Sequence, residues 1–169
     1  TLFACLCGVV CGFASIVLCL FVGAARSLFE RAPWLIWLLP LAGLPVVFAY
    51  RRANLPDGST NAVFKAVRDN KLMPLITAPL IFCSTVITHL FGGSAGREGA
   101  ALQLGGSTAS LLGRIFRLPE GDRKVLIMAG MSAVFAGLFG TPLTATIFVI
   151  EVIEIIIFIF EIIFSISCT

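Results

Sequence analysis

From Leu2 to Ala25 the chain carries no charged residue. A run of that length can cross the ~30 Å hydrocarbon core of a bilayer as one helix. It is too long for a signal-peptide core and lacks a basic flank before it. In lipid, every backbone N–H and C=O must be satisfied within the spanning segment or in a closed barrel, which leaves few architectures open. Further apolar runs follow at Pro33–Tyr50 and Leu72–Phe91. Hydrophobic residues make up 59% of the 169 and charged residues 12%, against about 25% charged in soluble domains. The chain therefore reads as an all-α, polytopic integral membrane protein. Its net charge of +3 comes from loop lysines and arginines. Without interleaved aromatic and basic residues or zinc-finger spacing, no nucleic-acid partner is expected.

The polar residues divide the chain. Arg26–Arg31 reads as a polar turn after the first span. The second run holds Pro40 and Pro45 and is expected to kink. Leu55-Pro56-Asp57-Gly58-Ser59 is a turn in which Asp57 or Ser59 can cap a short amphipathic helix, Thr60–Asn70. After the third run comes Gly92-Gly93-Ser94-Ala95-Gly96, then a helix from Glu98 to about Leu112. A basic loop with Arg114, Arg117, Arg123 and Lys124 precedes two helices, Val125–Phe139 and Pro142–Val152, parted by Gly140-Thr141-Pro142. Helices this short or broken occur at membrane depth only beside protein or a water-filled cavity. Ala129, Ala133 and Gly137 share a face suited to close helix contact. The basic residues around Arg51–Lys71 and Arg114–Lys124 far outnumber Arg26 and Arg31, which places the two richer loops on the cytoplasmic side. Glu98 then approaches from the outer half of the membrane.

Gly96-Arg97-Glu98-Gly99 is the chemically pointed stretch. It sits between two charge-free segments, Leu72–Gly96 and Gly99–Gly113. An ionisable group at membrane depth costs at least ~2.5–3.5 kcal/mol and usually marks an ion or proton path. Glycines let the backbone turn and expose its N–H groups, and a helix N-terminus favours anions. A carboxylate there can compete with an anion or carry a proton. Gly96, Gly99 and Ala100 are candidate backbone donors, Ser59 a candidate hydroxyl donor or simple N-cap, and Arg97 a source of positive potential. Glu151 is a candidate for a proton route, and a water-facing carboxylate accounts for it equally well. His89 is the single histidine and is given no transport role. Cys7 and Cys11 lie one helical turn apart with no histidine or carboxylate nearby, so buried, inert thiols are expected rather than a metal site.

These residues resemble the CLC chloride channels and antiporters. Gly96-Arg97-Glu98-Gly99 looks like that family's signature, and Gly140-Thr141-Pro142-Leu143 with Phe148-Val149-Ile150-Glu151 looks like its later helix pair. Gly58-Ser59 lies where the family's first anion-binding turn belongs. The resemblance covers the first of two inverted repeats, over 1–152. It implies helix ends that converge on a midplane anion site. Ala100 stands where chloride-selective members have proline, and Val152 where proton-coupled chloride members often carry a second glutamate. Both departures look like the bacterial fluoride/proton antiporter branch, whereas Ser59 looks like a chloride site. The resemblance thus implies a halide/proton antiporter, fluoride preferred, in the bacterial inner membrane. Glu98 would be its gating and proton-coupling group. Its partners would be a halide anion, a proton, the lipid bilayer and, when full length, a second copy in a homodimer. No cofactor and no metal are expected.

A passive chloride channel and a non-transporting fragment stand as alternatives. An enzyme is disfavoured, because no Gly-Lys-Ser/Thr or dinucleotide glycine motif follows the Gly92–Gly99 stretch. Residues 153–169 form a very apolar tail of low complexity, expected to arise from truncation or a frameshift. The chain, which opens at Thr1, is expected to start inside a longer protein or after a trimmed tail.

Overall fold

A computed structural model describes residues 2–53, 74, 76–94 and 96–167, with the backbone alone for 2 and 156–167. The elements are α1 (Leu2–Arg31), a 3₁₀ turn (Pro33–Leu38), α2 (Leu39–Arg52), α3 (Thr77–Leu90), α4 (Arg97–Ile115), α5 (Glu120–Phe139) and α6 (Pro142–Ser167). No strand occurs among the described residues. The expected Thr60–Asn70 helix and its cap, Asp57 or Ser59, lie outside them.

Buried residues of α1 fall at Cys7, Cys11, Ser15, Leu18, Val22 and Ala25, the 3.6-residue repeat of one face packed on a core. Its other face is apolar too, with Val9, Phe13, Ile16 and Leu20 exposed. A helix apolar all round belongs inside a large protein or in a membrane. Among the described residues two stretches, Phe3–Arg31 and Pro33–Arg52, are long and apolar enough to span a bilayer. The polar residues Arg26–Arg31 do not form a turn. They finish α1, and Arg26 Nε meets Glu30 Oε1 at 3.5 Å across one helical turn. Alternating polar residues at a helix end are compatible with helix, so polarity alone misplaces the boundary.

The second apolar run breaks where the prolines put it. Pro33 opens the 3₁₀ turn, and a proline in the first turn of α2 sits where a missing N–H costs nothing. Pro45 lies inside α2 and removes one ladder bond. In the third run α3 begins at Thr77, whose N–H donates to Pro74 O at 3.1 Å. The last helix does not stop at Val152; α6 continues to Ser167.

Helix α4 is the centre of the bundle. Every residue from Ala101 to Ser107 is buried, as are Ala109 and Ser110. It packs most extensively on α5, which also contacts α1 and α6. Glycine makes this crossing possible. A Cβ on Gly105 would lie 2.8 Å from Gly130 C and from Met131 Cα, and one on Gly130 would lie 2.8 Å from Gly105 O. Gly137, on the small-residue face read from sequence, does approach α1: a Cβ there would meet Ser15 Oγ at 2.8 Å. Ala129 and Ala133 instead line a groove toward α6, while Gly130, one position away from Ala129, makes the closest approach.

One buried hydroxyl of the core is bonded to the backbone of another helix. Ser15 Oγ donates to Val134 O at 3.0 Å, joining α1 to α5. Ser15→Ala should therefore lower stability in detergent by about 1 kcal/mol, read as a small drop in melting temperature. An unchanged melt would show that the bond contributes nothing net. Cys7 and Cys11 are fully buried, with their sulfurs 3.8 Å apart and Cys7 Sγ 3.9 Å from Leu126 O. This agrees with inert thiols at those two positions, whereas Cys5 and Cys83 are exposed.

Two helices end in the same way. At the end of α3, Gly92 N donates to His89 O and Gly93 N to Thr88 O, with Gly92 at φ 75°. At the end of α4, Arg117 N donates to Arg114 O and Leu118 N to Gly113 O, with Arg117 at φ 51°. This left-handed cap favours glycine. Arg117→Gly should raise stability by up to about 1 kcal/mol, and a lower melting temperature would contradict that.

Candidate functional site

The site is built at the junction of α3 and α4. The glycine cap at Gly92-Gly93 ends α3, and the Gly92 φ of 75° reverses the chain at little cost. Gly92 also lies directly against the Phe29 ring of α1, so no side chain fits there. Gly96 is extended, at φ −62° and ψ 127°, and serves as N-cap of α4 without any side-chain hydrogen bond. Having no side chain, Gly96 itself cannot cap the first-turn N–H groups. Those are the donors that give a helix N-terminus its partial positive charge.

Four of the residues singled out from sequence for anion or proton handling meet in the first turn of α4. Glu98 is exposed, and Arg97, Gly99 and Ala100 are half-buried. The helix begins at Arg97, one residue before the expected start. Among the described residues the one ion pair is Arg26–Glu30, so neither Arg97 nor Glu98 is held by a counter-charge within that set. Beyond Ala100 the helix is buried at once. The exposed carboxylate thus stands where the polar mouth of the helix meets the apolar interior of the bundle. Glu151 is exposed on α6, a separate element. Ser59 lies outside the described residues.

Sequence reading missed a cavity beside this turn. About 440 Å³ in volume, it is lined by Arg26, Phe29, Glu30, His89, Gly92, Gly93, Ser94 and Arg97. The available signal was the Arg26…Glu30 spacing, which pairs the two side chains only if α1 runs on through Arg31. His89 Nδ1 lies 2.8 Å from Thr85 O, the local carbonyl contact expected of a helix-end histidine. The described residues contain no cluster of three or more histidine, cysteine or acidic residues that could hold a metal.

An all-helical bundle with a broken helix pair, and apolar stretches long enough to span a bilayer, defines a polytopic integral membrane protein. The chain belongs to the voltage-gated chloride channel (CLC) family, whose sequence model matches residues 42–168. It is 44% identical over 146 residues to a chloride/fluoride channel protein of Pseudomonas syringae pv. tomato, covering 85% of this chain and 32% of that protein. It is 30% identical over 128 residues to the H(+)/Cl(−) exchange transporter ClcA of Cronobacter sakazakii, covering 70% of this chain and 27% of the relative. The crystal structure of a CLC-type fluoride/proton antiporter superposes with a TM-score of 0.79 at 37% identity, covering 89% of this chain and 39% of that one. The chain spans about a third of the length of the curated relatives it matches.

Proposed function

We propose that this chain is the first repeat of a halide/proton antiporter of the bacterial inner membrane, with fluoride the preferred anion. One observation carries the reading: an exposed carboxylate, Glu98, in the first turn of a helix whose start has no side-chain cap. An anion and the Glu98 carboxylate would compete for the same N–H groups. When the anion holds them, the displaced carboxylate takes a proton; when the proton leaves, the carboxylate returns and releases the anion. Exchange of the two ions follows from one position that both cannot occupy.

Fluoride holds its hydration shell tightly and needs several good donors to replace it, which backbone N–H groups unobstructed by side chains can offer. Gly96, Gly99 and Ala100 leave that approach open; Ser59 is a candidate further donor. Arg97 raises the local positive potential, and Glu151 is a candidate for the inner proton route. The likeness to a fluoride/proton antiporter structure supports the antiporter. The passive chloride channel stands as the second reading, because the Pseudomonas relative is named a channel protein. In an intact protein the second repeat would face this site, and two copies would form a homodimer.

The test is transport by the intact protein in liposomes. An inward fluoride gradient should drive protons outward against their own gradient, and chloride should do so less well. Fluoride flux with no proton movement would favour the channel. No flux of any halide by the intact protein would remove both readings.

A further inference from the structure

We propose that the cavity between the ends of α1, α3 and α4 is a docking site for a small inorganic anion, held by Arg26 and Arg97. This goes beyond the exchange reading. Binding here requires neither a change at Glu98 nor transport.

The walls carry two guanidinium groups and one carboxylate. Glu30 is committed to Arg26, with Nε and Oε1 3.5 Å apart, and both side chains are 66% exposed. One oxygen at that distance leaves the remaining donors of Arg26 available. Arg97 has no ion-pair partner among the described residues and is half-buried. An arginine keeps its charge at any ordinary pH, and its planar fork of donors suits anions. The described lining therefore has a positive excess, which favours an anion over a cation.

His89 also lines the cavity, with Nδ1 2.8 Å from Thr85 O, which can only accept. Among the described residues the charged groups that line the same cavity are Arg26 and Glu30 from α1 and Arg97 from α4. The remaining wall is Gly92 and Gly93, whose N–H groups are already bonded to His89 O and Thr88 O. At about 440 Å³ the space holds a halide together with part of its water. Such a site captures an anion without the full cost of stripping its shell, next to the turn where the shell must be replaced.

The test uses bromide, whose anomalous scattering locates it, on the intact protein. Bromide-soaked crystals should show a peak among Arg26, His89 and Arg97. Calorimetric titration with sodium bromide in lipid nanodiscs, with gluconate holding ionic strength constant, reads the affinity. Arg26→Gln should weaken binding about threefold, and Glu30→Gln, which frees Arg26, should tighten it by a similar factor. Damage to the fold would move both variants in the same direction. Absence of the peak or same-direction shifts of the two variants would each overturn the proposal. All of these are read with Glu98 in place and without a proton gradient, so a failure of the antiporter reading leaves them intact.

Discussion

Glu98→Gln leaves halide movement in place and reduces coupled proton movement to the leak of empty liposomes. The side chains match in size, so the turn at Gly96–Gly99 is kept and only ionisation is lost. The N–H groups at the start of α4 attract the native carboxylate through the helix dipole. An anion at the same N–H groups experiences the same attraction. Forces of equal origin and similar size permit exchange, and a neutral amide removes one partner from it. Arg97→Gln should behave differently: proton coupling persists while halide transport loses apparent affinity, because steering potential falls and the exchanging group remains. Proton movement that survives Glu98→Gln unchanged would remove Glu98 from the mechanism, whatever happens to the flux.

Gly105→Val should prevent the bundle from forming as it is. A Cβ at this position would lie 2.8 Å from backbone atoms of Gly130 and Met131, and backbone on both sides of a helix crossing cannot move aside as a flexible side chain can. Overpacking a core usually costs about 1–3 kcal/mol, and more where nothing can yield. Because α4 carries the candidate site at its N-terminus and contacts α5, α3 and α1, separating it from α5 displaces the site as well. The expected result is loss of the folded, monodisperse species in detergent, or a melting temperature far below that of Ser15→Ala. A stable, active Gly105→Val protein would mean that α4 and α5 do not cross this closely.

Much of this architecture is legible in the sequence, for definite reasons. Long charge-free runs announce helices in lipid, and prolines and glycines mark where they break, so the apolar parts of α1, α3 and α5 and the junction before α4 can be read directly; of the expected basic loop, Arg114 instead finishes α4 and Arg123 and Lys124 belong to the first turns of α5. Gly96-Arg97-Glu98-Gly99 stands out because charge between glycines is costly in an apolar setting and persists there chiefly where ions or protons pass. The polar end of α1 is misread because Arg26, Glu30 and Arg31 satisfy a turn and a helix terminus equally well. The Arg26–Glu30 pair and the cavity behind it stay hidden as a consequence. The Gly105–Gly130 crossing is also out of reach: the two glycines lie in different helices, and the rotation of each helix is set by packing. For the same reason the sequence places Gly137 correctly, while the close contact expected of Ala129 and Ala133 is made by Gly130.

The most direct test of the central claim, that an anion and the Glu98 carboxylate exclude one another at the start of α4, is proton uptake on halide binding. Fluoride is added to the intact protein in weakly buffered detergent solution at neutral pH, and bound protons are counted against bound anion for the unmodified protein and for Glu98→Gln. The account predicts net proton uptake in the former and none in the latter, with fluoride still bound by both. Equal proton uptake by the two proteins would contradict it.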